Sequence, residues 1–418
     1  MVGNARWPAM VLVGFVVACA TTVARPGAPS SPNSKYLFVW AGADRDSASD
    51  FLAVIDADSS SRRYGTVLAT VPVGVRGMAH HTEHQMPPGD TLFVNAYHAG
   101  ATFLIDVSAP TAPRVVGSLR GVGEFRYPHS YERLPNGNVL TTFQAIGEGN
   151  RVPGGLVELD PAGTPVRTVA AADPADPELR PYSVTAIPSI DRAVSTTTDM
   201  EAVAQGSSFQ VWRLSDLKLL ATVPLPRGPL GYEHRDPAEI RLLADGTVIL
   251  TTFTCAMYRL HDLATDQLRA ELINVLPWTT FDTDDCAIPV TRGRFWVQTF
   301  ANAKGSALIS FDFTDPSHPV EVDRLTLDKP WKPHWLSIEP EGDRIVVTSG
   351  QGATHYAVLI VRLDPASGRL ALDSTFREPG STEPGVRFDR EIWPHGRAGP
   401  AAPHGAVFSR TKPTPPGS

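Results

Sequence analysis

The chain lacks the features that mark several large classes of protein. Its 418 residues include three cysteines, and no two of them form a Cys-x-x-Cys pair. There is no glycine-rich phosphate loop and no His-Glu-x-x-His helix, so the common nucleotide-binding and metalloprotease signatures are missing. Positive charge is not in excess. Lys and Arg number 37 against 44 Asp and Glu, the net charge is -7, and no basic stripe is visible, which argues against a nucleic-acid partner. Apolar residues seldom recur at helical spacing. What the chain has in quantity is Gly (34) and Pro (38), a combination that favours many short strands joined by turns. Hydrophobic residues make up 42% and charged residues 19%, as in a globular protein with a sizeable core. A single ring-shaped β domain reaches this length.

Long apolar runs are also scarce. The clearest, Met10 to Ala18, follows Arg6 and is too short to span a bilayer comfortably. It reads as an export signal over residues 1–19. Val16-Val17-Ala18-Cys19 resembles a bacterial lipoprotein cleavage box, with ordinary cleavage after Ala20 as the alternative. Either way the expected location is periplasmic or otherwise exported, with membrane attachment through a lipidated Cys19 in the first case. Residues 20–34, rich in Thr, Pro, Ser and Gly, read as a flexible tether. Residues 410–418 read as a disordered tail. Cys255 and Cys286 remain, and an exported compartment permits a disulfide between them. Two buried or channel-lining thiols fit the sequence as well.

Between tether and tail one pattern recurs. A histidine or acidic residue opens a strand, and two hairpin turns lead to a third strand that often ends in Asp. The third strands begin with Ala53-Val54-Ile55-Asp56 and Leu104-Ile105-Asp106-Val107 and end with Leu359-Ile360-Val361-Arg362-Leu363-Asp364; there are seven. Asn136-Gly137 and Asp245-Gly246 supply the positive φ that tight hairpins need. His81 and His129 are 48 residues apart, as are Cys286 and His334. Periods of about 40 to 50 residues with about four strands each mark a β-propeller, because one such sheet cannot bury both faces alone. The fold expected over residues 35–409 is therefore all-β, a seven-bladed β-propeller. The first unit lacks its entry strand, and Pro403-His404-Gly405-Ala406-Val407-Phe408-Ser409 supplies one, so a C-terminal strand closes the ring.

In a propeller the entries to the innermost strands surround one mouth of the central channel. That places His80/His81, His129, Ser183, the Asp236 to Glu239 segment, Asp284-Asp285-Cys286, His334 and His404 around one point. Several neutral imidazoles at one point suit Cu, Zn, Fe or Ni. The candidate metal ligands are the histidines of this ring, with His84, three residues after His81, able to substitute for one of the pair, and with Cys286, Glu239 and Asp285 as further residues of the channel. A lone histidine at a strand start more often makes a structural hydrogen bond, and acidic residues here can equally be solvated channel walls. His80 and His81 pose a geometric difficulty, since adjacent strand residues point to opposite faces. His395, in Trp393-Pro394-His395-Gly396, competes with His404 for the entry role. His98, His261, His318 and His355 read as surface residues.

Gly77-Met78-Ala79-His80-His81, Tyr127-Pro128-His129-Ser130, Glu239-Ile240-Arg241-Leu242-Leu243, the segment from Ser310 to Pro319 and Pro403-His404-Gly405 together resemble the selenium-binding protein family, whose bacterial members include copper-dependent methanethiol oxidases. The resemblance implies a seven-bladed propeller and a copper site at His80, His81, His129 and His404, with His334 and His84 next to it and Glu239 or Asp285 as candidates to take a substrate's proton. It also implies oxidation of a small thiol, methanethiol with O2 and water giving formaldehyde, hydrogen sulfide and hydrogen peroxide. The chain departs from many members after the His-His pair. Where they carry a cysteine-rich loop, it has Thr82-Glu83-His84-Gln85-Met86-Pro87-Pro88, which removes the basis for selenium binding. The alternative function is a non-catalytic exported lipoprotein that binds a ligand, metal or protein. A hydrolase with a channel-bound divalent cation would want more carboxylates and fewer histidines.

Overall fold

The apolar third strands form the middle of seven antiparallel sheets arranged as a closed seven-bladed propeller. The computed structural model describes residues 1, 34–147, 152–174, 178–201, 206–276, 286–302, 305–327, 331–350, 353 and 355–411. The export segment and most of the tether and the tail lie outside these residues. Among the described residues the one helical element is a 3-10 turn at Pro188–Ile190, and no helix is long and apolar enough to cross a membrane.

Numbered along the ring, blade two runs through strands Ala79–Thr82, Thr91–Ala96, Ala101–Asp106 and Arg114–Arg120. Blades three to seven repeat this inner-to-outer order, with inner strands Phe125–Arg133, Val184–Ile187, Pro237–Leu242, Val290–Arg292 and Trp335–Ile338. The inner strands of blades one, two, four and seven are wholly buried, whereas outer strands such as Arg114–Arg120 alternate exposed and half-buried residues. That gradient is what a sheet packed between two neighbours and capped by solvent at its rim requires.

Blade one is made from both ends of the chain. Its inner strand is Ala401–Phe408, paired antiparallel with Tyr36–Ala43, which leads to Phe51–Asp56 and Val67–Pro72. All eight residues of the closing strand are buried. The closure is stitched on both sides. Trp335 Nε1 in blade seven donates to Ala406 O at 2.9 Å, and Trp40 Nε1 in blade one donates to Asn95 O in blade two at 2.7 Å. A buried Arg344–Glu339 pair in blade seven reaches across to the carbonyls of Ser34 and Ala57. Gly405 is required here, since a Cβ would stand 2.5 Å from the backbone nitrogen of Thr82 in the next blade. His395 does not reach the axis. It sits in a hairpin on the way to the closing strand, against Phe51, with Nδ1 2.7 Å from Thr70 Oγ1.

Candidate metal centre

A β-bulge at the start of the inner strand recurs in four blades. In blade two Ala79 pairs with Ala96 and Thr82 with Val94, so His80 and His81 together face one residue, Asn95. Blade three sets His129 and Ser130 against Thr142, blade five sets Ala238 and Glu239 against Thr251, and blade one sets His404 and Gly405 against Trp40. Met78, Tyr127 and Asp236, each two residues before such a pair, have positive φ. A bulge breaks the alternation of strand faces and re-aims its side chains. This resolves the difficulty of adjacent histidines: the rings of His80 and His81 stack on one side, with centroids 4.3 Å and planes 17° apart.

Asn95 holds the bulge in place. Its Oδ1 accepts the backbone N–H of His81 at 2.6 Å, and its Nδ2 donates to Pro128 O at 2.6 Å in the next blade. Threonine does related work elsewhere. Thr142 Oγ1 accepts from Ser130 N and donates to Tyr182 O, and Thr196 Oγ1 accepts from Ser183 N and donates to Ala238 O. In blades two, three and four the second strand thus ties its own inner strand to the following one. A polar residue near the end of an otherwise apolar second strand is the sequence signal for this device.

The first residues of these four pairs, with the residues just before the inner strands of the other three blades, define a ring around the mouth. In blade order they are His404, His80, His129, Tyr182, Ala238, Cys286 and His334, with inner strands of successive blades in contact all the way round. Tyr182 takes the place that repeat spacing gave to Ser183. His334, His404, His80 and His129 occupy four successive blades, and His81 lies beneath His80. His80, His81, His129 and His404 are all at most 3% exposed. His80 Nε2 lies 2.9 Å from His129 Nε2, ring centroids of His80 and His404 are 4.1 Å apart, and those of His81 and His129 are 4.2 Å apart. Ligand nitrogens of His80, His81 and His404 fall within 4.8 Å of one another. His334 is half-buried, with its ring 4.5 Å from that of His404.

The protonation pattern suits a cation. His129 Nδ1 donates to Tyr182 O at 2.7 Å, which leaves Nε2 as a lone pair aimed at the cluster. His80 Nδ1, both nitrogens of His81 and His404 Nδ1 are buried with no hydrogen-bond partner among the described residues. Each such atom costs roughly 1–3 kcal/mol if left alone. Burial, and then mutual repulsion, drive His80, His81 and His404 well below the ordinary histidine range, and burial brings His129 to about 3. The imidazoles are therefore neutral and ready to ligate at neutral pH.

The other sequence candidates take different positions. His84 lines the channel below, stacked on Trp335 at 4.8 Å. Its Nδ1 lies 3.2 Å from Arg241 Nη2. Arginine can only donate, so Nδ1 is the acceptor and Nε2 carries the proton. Neither nitrogen is free to substitute as a ligand. Glu239 is fully buried and ion-paired to Arg241 at 2.6 Å, with Oε1 unpartnered among the described residues; burial raises its pKa. Cys286 is not a channel thiol. It is disulfide-bonded to Cys255, with S–S 2.04 Å, and packs in apolar core with Leu243, Ile249 and Trp296. Asp285 lies outside the described residues. His318 is a surface residue paired with Asp315. Below the histidines the channel widens into a cavity of about 400 Å³ lined by His84, Glu132, Arg133, Arg241 and aliphatic side chains. Burial there raises Glu132 to about 7.

No family model matches the chain. A methanethiol oxidase from Hyphomicrobium sp is 26% identical over 323 residues, 69% of this chain and 69% of that protein. A hypothetical selenium-binding protein from Sulfolobus tokodaii superposes with a TM-score of 0.72 at 16% identity, covering 92% of this chain and 94% of that one. A periplasmic gluconolactonase from Pseudomonas aeruginosa gives 0.61 at 14% identity, covering 84% and 97%. At such identities the structural likenesses establish the fold. The chain is a seven-bladed propeller with a buried histidine cluster at one mouth of its axis. Its resemblance to the selenium-binding protein family, on the methanethiol oxidase side, is borne out by the sequence match.

Proposed function

We propose that the protein is a copper-dependent oxidase of small thiols. The observation that carries this reading is the convergence of four buried neutral imidazoles, several with bare nitrogens, at one end of the axis. His80, His81, His129 and His404 are the residues that would hold the ion. An all-imidazole set suits copper, and the 26% identity to a methanethiol oxidase supports the choice. When bound, copper supplies a soft partner for a thiolate and a one-electron couple for O2.

The chain's own residues do the rest. Tyr182 O fixes the His129 tautomer so that Nε2 faces inward, and Asn95 fixes His81 through the bulge. Burial of the cluster keeps bulk water away from the reacting sulfur. A thiol must lose its proton on binding. We assign that proton to Glu239, which sits beneath Ala238 with one oxygen unpartnered and a pKa raised by burial. The reaction assigned is methanethiol, O2 and water to formaldehyde, hydrogen sulfide and hydrogen peroxide, which balances in atoms. An exported location, with attachment through Cys19 if lipidated, is part of the proposal; the Cys255–Cys286 disulfide supports it.

The test is to load the purified protein with copper and supply methanethiol under air. Equal yields of formaldehyde, sulfide and peroxide are expected. A copper-loaded protein that consumes neither thiol nor oxygen contradicts the assignment.

A further inference from the structure

The cavity of about 400 Å³ below the histidine cluster has the exposed Gln85 at its rim. Its charged groups do not balance. Arg133 is fully engaged: Nε and Nη2 donate to the two oxygens of Glu83 and Nη1 to Gly137 O, each at 2.8 Å. Arg241 donates to Glu239 at 2.6 Å and to His84 at 3.2 Å. His84 is neutral, because burial and then Arg241 hold it well below the ordinary histidine range. Glu132 has no cation. Its one partner among the described residues is the Ala186 N–H at 3.4 Å, long for a hydrogen bond. Glu83, Glu132 and Glu239 against Arg133 and Arg241 leave one carboxylate without a counter-charge. Thr185, the residue before Ala186, donates its hydroxyl proton to Ile240 O at 3.1 Å and so presents a lone pair to the same cavity. The opposite side is aliphatic. In a seven-membered ring blade three lies across from blades six and seven, which bring Val290, Leu336 and Ile338.

We propose that this cavity binds a small organic monocation, a primary ammonium on a short aliphatic body. The ammonium sits between the Glu132 carboxylate and Thr185 Oγ1, and the body lies against Leu242, Val290, Leu336 and Ile338. A lone carboxylate is costly to ionise in such a place. Burial, with repulsion from Glu239 and Glu83, raises Glu132 to about 7, although Arg241 opposes the rise. A bound cation supplies the missing counter-charge. An anion finds both guanidiniums already bonded to carboxylates, and a neutral alcohol leaves the charge unpaired. A concave, largely apolar cavity with a few convergent polar groups is the usual form of a small-molecule site. The inference stands apart from the copper reading, because neither Glu132 nor Thr185 has a part in it.

Isothermal titration calorimetry on the full-length protein gives the test, with n-butylammonium, n-butanol and butyrate as cationic, neutral and anionic probes of similar size. At pH 8 n-butylammonium should bind with one site per chain, and the other two about tenfold more weakly or worse. Ethylammonium should bind less tightly than n-butylammonium, by up to about fourfold per CH2 lost. Lowering the pH from 8 to 6 should weaken n-butylammonium about tenfold, because only the ionised fraction of Glu132 takes it. The other charged groups facing Glu132 are closed into the pairs Glu83–Arg133 and Glu239–Arg241. Glu132→Gln keeps the shape and an acceptor for the Ala186 N–H. It should weaken n-butylammonium about tenfold or more and leave n-butanol unchanged. Circular dichroism checks its folding, and the pH series on the wild-type protein reads the same carboxylate without a substitution. The site is overturned if n-butylammonium does not bind, if butyrate or n-butanol binds as well, or if its binding ignores pH or survives Glu132→Gln.

Discussion

Nε2 of His80 and Nε2 of His129 lie 2.9 Å apart, although the residues are 49 positions apart in the chain and belong to neighbouring blades. His129 donates its other nitrogen to Tyr182 O, so in the metal-free protein His80 carries the shared proton. To offer Nε2 to a metal beside His129, His80 would carry its proton on Nδ1 instead, the nitrogen that has no partner among the described residues. His129→Ala and His404→Ala should each lower copper content to below about a tenth of the wild-type value, since a lost ligand or its support commonly costs 10–100-fold in affinity. The propeller should stay folded because its cores lie between blades. His318→Ala should change neither. Metal analysis beside circular dichroism decides this, and normal copper in His404→Ala would count against the centre.

Asn95 should matter as much as a ligand. Asn95→Ala leaves the His81 N–H and the Pro128 carbonyl without their buried partner, at about 1–3 kcal/mol for each group. Asn95→Thr restores the device used in blades three and four and should recover part of the loss. Denaturant midpoints and copper affinity should move together across the three proteins. An Asn95→Ala variant of unchanged stability and affinity would show that the bulge holds without it.

Acid should expose the histidines' preference for neutrality. His129 titrates near the ordinary 6.5 when unfolded and at about 3 when folded. Between these values the unfolded chain binds the extra proton, so stability falls as pH drops, by about 1.4 kcal/mol per pH unit for one group. Glu83, Glu132 and Glu239 are raised by burial and act in the opposite sense above the ordinary carboxylate range. A difference measurement removes them. The unfolding free energy of metal-free wild type minus that of His129→Leu should decline steadily from pH 6.5 towards pH 4. A flat difference contradicts the assigned cause.

Closure should be all or none. Ending the chain at residue 400 removes a strand buried along its whole length and leaves the inner edge of Tyr36–Ala43 unpaired. The truncated protein should be insoluble or rapidly digested by a protease that spares the full chain. A soluble, protease-resistant truncation would mean that blade one closes by another route.

Much of this was legible in the sequence. The seven third strands, the hairpin glycines and the orphan strand after His404 foretold the ring and its closure, because those signals are local and periodic. The histidines were legible because they recur at blade spacing. The bulge was not: it is a one-residue slip in the ladder between two strands, and nothing in Ala79-His80-His81-Thr82 alone distinguishes it from regular alternation. Ser183 was placed one residue off for the same reason, since the entry position depends on which residue pairs with Thr196. The sequence leaves Cys255 and Cys286 open between a disulfide and two thiols, because they belong to neighbouring blades and the approach of those two segments is set by packing. The tautomer of His84 depends on Arg241, 157 residues away.

X-ray absorption at the copper edge of the loaded, purified protein tests the central claim most directly. One copper per chain is expected, with three or four imidazole nitrogens at about 2 Å, and with a sulfur joining when methanethiol is added without oxygen. In His80→Ala or His404→Ala the imidazole scattering should fall or the copper be lost. Copper bound without imidazole scattering, or a spectrum unaltered in both variants, would place the metal elsewhere and remove the thiol oxidase reading.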